Sequence, residues 1–205
     1  MRFVQTLLGL MAVLPLWASA AGDVAAGQAL ATPCAACHGQ DGVAVLPNSP
    51  NLAGQSTPYL VRQLEQIKSG ARAVPLMAGQ LDALKDDDFA NLAAYYASLK
   101  APVGQASAEN KDKLALGERI YRSGIASKGV AACSACHSPT GSGNALAGFP
   151  HLGGQTEQYV IAQLTAYRER NRATDEEHGG VMRGIAQGLT DSEIAAVANY
   201  VQGLH

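Results

Sequence analysis

The sequence predicts an all-α protein built from two tandem copies of one unit, and three observations carry that prediction. The pentapeptide Cys-X-X-Cys-His occurs twice, with Cys34, Cys37 and His38 in one copy and Cys133, Cys136 and His137 in the other. The segment Pro50-Asn51-Leu52-Ala53-Gly54-Gln55 returns one hundred residues later as Pro150-His151-Leu152-Gly153-Gly154-Gln155. Apolar residues around these segments recur at helical spacing, and no stretch of strand alternation interrupts them. Self-similarity at a fixed offset is the mark of a duplicated unit.

The elements follow in chain order. Arg2, an apolar run over residues 3–17, and Ala18-Ser19-Ala20 have the form of a cleavable export signal over 1–20, with the mature chain starting at Ala21. A short helix is expected over 24–31, before the first cysteine motif. After a Gly/Pro-rich loop, Ser56 is a good N-cap for a helix whose apolar face is Tyr59, Leu60, Leu64 and Ile67. The last helix of this half begins near Leu84, with Asp86, Asp87 and Asp88 placed favourably for its dipole.

Residues 100–108 are small, polar and broken by Pro102 and Gly104, which reads as a linker. The domains are therefore expected at 21–103 and 104–205. In the second half a helix over 113–122 precedes the cysteine motif, with an added segment at 123–132. Thr156 caps a helix with Tyr159, Val160, Leu164 and Tyr167 on one face. Thr190 and Glu193 form a capping box for the final helix.

The two pentapeptides use all four cysteines. Each pair of thiols can add to the two vinyl groups of a porphyrin, and the histidine after the second thiol can bind the iron, so the motif predicts covalent c-type haem, twice. Zinc binding or dithiol redox chemistry is the alternative for a bare Cys-X-X-Cys, but neither requires the adjoining histidine. An export signal agrees with haem attachment, which takes place outside the cytoplasm. No cysteine is left for a structural disulfide.

The ligand on the other side of each iron decides between electron transfer and catalysis. Of the four methionines, Met1 and Met11 fall in the export signal, which leaves Met77 and Met182, one in each half and each in the loop expected between the middle and last helices. A methionine is otherwise a filler of apolar gaps, yet these two share one slot in a duplicated unit. They are the candidate sixth ligands. His178, four residues before Met182, is the rival at the second iron; His151 reads as a surface or loop residue and His205 is terminal.

Composition bounds the partners. A formal net charge of −2, with neither half strongly polarised, supplies no basic stripe for nucleic acid. Arg168, Arg170 and Arg172, followed by Asp175-Glu176-Glu177, read as a solvated face with local pairing.

Two Cys-X-X-Cys-His units, a Pro-X-Leu-X-Gly-Gln-X-X-X-Tyr segment in each half and one methionine per half resemble the di-haem cytochrome c4 family of bacterial class I cytochromes. The resemblance implies two cytochrome c-like domains, each wrapped around one covalent haem and related by a pseudo-twofold. It implies His38/Met77 and His137/Met182 as axial pairs. It further implies a periplasmic electron carrier, loosely associated with the inner membrane, between a quinol-oxidising donor complex and a terminal oxidase acceptor. The alternative is a di-haem electron-accepting subunit of an oxidoreductase, such as a sulfide-oxidising flavoprotein complex.

Overall fold

A computed structural model describes residues 22–109 and 111–205. The expected export signal and the start of the mature chain lie outside these residues. Among the described residues there are α-helices and short 3-10 turns but no β-strand, and the extended pairing is limited to the isolated bridges Ile125–Val130 and Asn144–Phe149.

The first half contains α1 (Val24–Leu30), α2 (Ala35–His38), α3 (Thr57–Lys68) and α4 (Asp86–Ser98). The second contains α5 (Lys111–Ser123), α6 (Ser134–His137), α7 (Glu157–Arg168), α8 (Val181–Gln187) and α9 (Asp191–Gln202). α1 crosses α4 and α5 crosses α9, each at a glycine. A Cβ on Gly27 would stand 2.0 Å from the Asn91 carbonyl oxygen, and one on Gly117 would stand 2.1 Å from that of Ala196. Only a residue without a side chain lets these backbones approach so closely.

Local chemistry starts the helices much as their sequences suggest. Asp23 caps α1 by accepting from the N–H groups of Ala25 and Ala26, Thr156 caps α7 through Tyr159, and Thr190 with Glu193 closes a capping box on α9. At α4 the carboxylate of Asp88 accepts from the Lys85 N–H at 2.8 Å. Ser56 differs from expectation: it holds the N-cap position of α3, but its buried hydroxyl has no hydrogen-bond partner. Pro58, in the first turn of that helix, has no N–H to offer it.

Each half has its own core. Leu60, Leu92, Ala93, Tyr95 and Tyr96 form one, and Ile120, Tyr121, Val160, Ile194, Val197 and Val201 belong to the other. The added segment after α5 folds over the second core as a 3-10 turn, Ala126–Lys128, and delivers Val130 into it.

The linker is not a loose tether. Ser107 exchanges two hydrogen bonds with the fully buried side chain of Asn199, Gln202 donates to the Gln105 carbonyl at 2.7 Å, and Gly104 packs on the Gln202 backbone. The segment is thereby fastened along α9.

The halves meet through polar side chains. Besides Leu60, the buried residues of α3 are Gln63 and Gln66, so this helix turns an apolar face to its own core and a polar one to the other domain. Arg72 donates to Gln63, Tyr159 and Gln163, while Arg172 donates to Gln163, Tyr59 and Gln63. The two sets are equivalent under exchange of the halves, as a pseudo-twofold requires.

Candidate haem-binding sites

In the first domain a 3-10 turn, Thr32–Cys34, runs into the single turn of α2 and places Cys34 and Cys37 three residues apart along it. Such positions share one side of a helix. In the second domain Cys133 caps α6, with Cys136 inside it. All four cysteines are of intermediate exposure. Burial pushes the Cys133 thiol up to about 11 and raises that of Cys34, with Tyr96 acting against the rise at Cys34. Among the described residues no three His, Cys, Asp or Glu side chains gather as a metal-holding group.

Both histidines of the motifs are buried. Nδ1 of His38 lies 2.9 Å from the Pro50 carbonyl oxygen, and Nδ1 of His137 lies 3.0 Å from that of Pro150. A carbonyl only accepts, so Nδ1 carries the proton and Nε2 keeps its lone pair. Burial lowers both imidazole pKa values below the ordinary range, against the opposing pull of the proline carbonyls. A neutral ring fixed by a backbone acceptor is the form that ligates a metal.

The chain turns sharply after each histidine. Gly39 and Ser138 share the same left-handed φ, 72° and 69°. Ser138 is not a glycine, and it is held there by the Tyr121 hydroxyl donating to its carbonyl at 2.7 Å and the Ser142 N–H donating to its Oγ at 2.9 Å.

Met77 and Met182 occupy related but unequal settings. Met77 ends the 3-10 turn Pro75–Met77, beside a cleft of about 340 Å³ lined by Ile67, Arg72, Val74, Met77 and Leu81. Met182 lies in α8 rather than in a loop. Gly179 and Gly180, both left-handed, turn the chain into that helix, and Asp175 holds its first turn by accepting from the Arg183 N–H at 2.9 Å and from its guanidinium at 2.6 Å. Each methionine is half-buried and follows an exposed apolar residue, Leu76 or Val181.

The competing histidines are engaged elsewhere. Nε2 of His178 is 3.3 Å from Arg62 Nη1 of the other domain, and its ring packs at 6.3 Å on Phe149, which lies 6.2 Å from the His137 ring. His151 is a loop residue, as its sequence context suggests, with its ring on the Gly153 carbonyl at 3.0 Å. It sits between the domains, however, and burial lowers its pKa.

The arginine run needs correction. Arg168 does pair locally, with Asp191 at 2.6 Å. Arg172 is not solvated: it is 6% exposed, stacks on Tyr167 at 4.7 Å, and donates across the interface. Despite burial, which raises it, the Tyr59 hydroxyl is brought below its ordinary pKa by Arg172, Arg72 and Arg62. The signal was present in the repeat, since Arg72 and Arg172 share the offset of one hundred residues.

These residues fit a covalent porphyrin in each domain. Paired thiols one turn apart adjoin a metal-ready imidazole, and the Tyr96 hydroxyl lies buried beside the Cys34 sulfur. The cytochrome c family model matches residues 24–100 and again 115–205. Cytochrome c4 of Pseudomonas aeruginosa (strain PAO1) is 50% identical over 188 residues, 92% of each chain. The crystal structure of reduced recombinant cytochrome c4 from Pseudomonas stutzeri superposes with a TM-score of 0.86 at 45% identity, covering 90% of this chain and 100% of that one. A thiosulfate dehydrogenase electron acceptor of Stutzerimonas stutzeri (strain A1501) is 36% identical, across 82% of this chain and 76% of its own. Two thiol pairs with adjoining histidines in two like domains thus agree with similarity along nearly the whole chain: it belongs to the di-haem cytochrome c4 family, an electron carrier with covalent haem c on Cys34/Cys37 and on Cys133/Cys136.

Proposed function

We propose that the protein carries electrons in the periplasm from a quinol-oxidising complex towards a terminal oxidase, using two six-coordinate irons held by His38/Met77 and His137/Met182. The observation that carries this reading is the pair of histidines, each locked by a proline carbonyl in the tautomer that leaves Nε2 to a metal. When bound, haem supplies a one-electron iron couple whose potential depends on its axial ligands. The protein's part is to keep the imidazoles neutral and oriented, to hold the thiols one turn apart, and to present a thioether from a separate element. A full coordination shell changes little between oxidation states and leaves no position for a substrate.

The reading divides the mature chain at 103/104, with the export signal over 1–20. Among the described residues no helix is long and apolar enough to cross a membrane. The similarity to a thiosulfate dehydrogenase electron acceptor favours a second reading, in which the chain takes electrons from a sulfur-oxidising enzyme. The two separate in one assay. The reduced protein is mixed with membranes containing terminal oxidases, and the oxidised protein with thiosulfate and a thiosulfate dehydrogenase. Rapid cyanide-sensitive oxidation by the membranes supports the respiratory reading; thiosulfate-dependent reduction without oxidation by membranes replaces it with the second.

A further inference from the structure

The peptide group that joins Pro50 to Asn51 is held from two directions. Its carbonyl accepts from Nδ1 of His38 at 2.9 Å, and its N–H donates to Oε1 of Gln155, in the other domain, at 2.8 Å. The arrangement recurs with the halves exchanged. The Pro150 carbonyl accepts from Nδ1 of His137 at 3.0 Å, and the His151 N–H of that same peptide group donates to Oε1 of Gln55 at 2.9 Å. Each glutamine closes its grip with Nε2, which donates to the Asn51 carbonyl from Gln155 and to the His151 carbonyl from Gln55, at 3.1 Å in both cases.

Both glutamines are buried, 6% and 7% exposed, so these bonds are shielded from competing water. Each Oε1 also accepts from the next backbone N–H, that of Ser56 or Thr156, which fixes the side chain on its own domain.

We infer that Gln155 and Gln55 are crossed positioning residues, each tuning the proximal histidine, and hence the haem potential, of the opposite domain. The inference rests on His38 and His137 being the proximal ligands. An amide whose N–H donates a hydrogen bond gains negative charge on its oxygen, because successive bonds polarise one another. The better acceptor draws harder on the Nδ1 proton, the imidazole becomes a stronger electron donor, and the ferric state is favoured. Each domain therefore influences the other's iron through one planar peptide group. Packing alone would tie the domains together, but it would not link each glutamine to the distant haem in preference to its own.

The test is a haem-resolved redox titration of the intact two-haem protein, following the haem methyl resonances by NMR, for wild type, Gln155→Met and Gln55→Met. Methionine keeps length and volume but offers no acceptor comparable to an amide oxygen. Gln155→Met should raise the midpoint of the haem on Cys34/Cys37 so that, at fixed applied potential, its reduced-to-oxidised ratio rises about threefold, or about 28 mV at 59 mV per tenfold. The haem on Cys133/Cys136 should stay in place, and Gln55→Met should reverse the pattern. A shift confined to the mutated domain, an equal shift at both haems, or none overturns the inference.

Gln155→Glu, nearly isosteric and still an acceptor, covers the case in which the apolar variant does not fold. To keep the donation to the Asn51 carbonyl the buried acid must be protonated, and its carbonyl oxygen is a weaker acceptor than that of an amide, so the haem on Cys34/Cys37 should move upward by more than its neighbour, though less than in Gln155→Met; an equal or opposite change counts against the inference. The ferric wild-type spectra also test the ligands. Without hyperfine-shifted imidazole signals the ligand assignment fails and the inference with it, whereas their presence without crossed shifts sinks the inference alone.

Discussion

Met77 and Met182 bear most directly on whether the irons are closed. A thioether bound to ferric haem produces a weak near-infrared charge-transfer band. Met77→Ala should therefore remove about half of that band from the oxidised two-haem protein, by optical spectroscopy, and Met182→Ala the other half, since axial ligands set the electronic state of haem iron. An unchanged spectrum in the Met182 variant would point to His178 despite its contact with Arg62. The histidines and methionines proposed as axial ligands come from the repeat, and the haem-bearing cysteines were visible in the sequence because covalent chemistry restricts which residue types can serve. Arg172 was not: a charged residue in a charged run reads as surface, and only the docking of the two domains shows that its guanidinium reaches Tyr59 and Gln63 across the interface. Gln55 and Gln155 stood out as repeated residues, yet their crossed bonds depend on how the halves dock, which no local pattern encodes.

At the level of elements, the crossings α1/α4 and α5/α9 set the shape of each domain. A methyl group at Gly27 or Gly117 would meet a carbonyl oxygen of the facing helix rather than a flexible side chain. Gly27→Ala and Gly117→Ala should each destabilise by at least the ~1–3 kcal/mol of an overpacked core, seen as a lower midpoint in thermal unfolding followed by circular dichroism. Gly184, inside α8, supplies the contrast, because a Cβ there meets nothing within 4 Å and φ is not positive. Gly184→Ala should leave stability unchanged or raise it by up to ~1 kcal/mol, from helix propensity and a less flexible unfolded chain. Helix positions were legible from apolar spacing and caps, since these depend on neighbouring residues. The helical setting of Met182 was less so, because α8 starts after two glycines, without a side-chain cap, and relies on Asp175 to hold its first turn.

The whole molecule is two similar domains joined by a buried polar interface and by a linker fastened to α9. Pairs such as Arg72/Arg172 and Gln55/Gln155 give each half the same contacts with its partner. Duplication of the chain was legible from the repeat alone, but the pseudo-twofold needs the reciprocal bonds to define it. That geometry suits a carrier: one chain holds two covalent haem c groups, and the axial ligands proposed for each come from its own domain. The measurement that tests this most directly is the exposure of the fully reduced protein to carbon monoxide, followed optically with stopped flow. Two closed irons predict no rapid spectral change at either haem at neutral pH. Fast binding of one carbon monoxide per protein would show an open iron and contradict the assignment as a pure electron carrier.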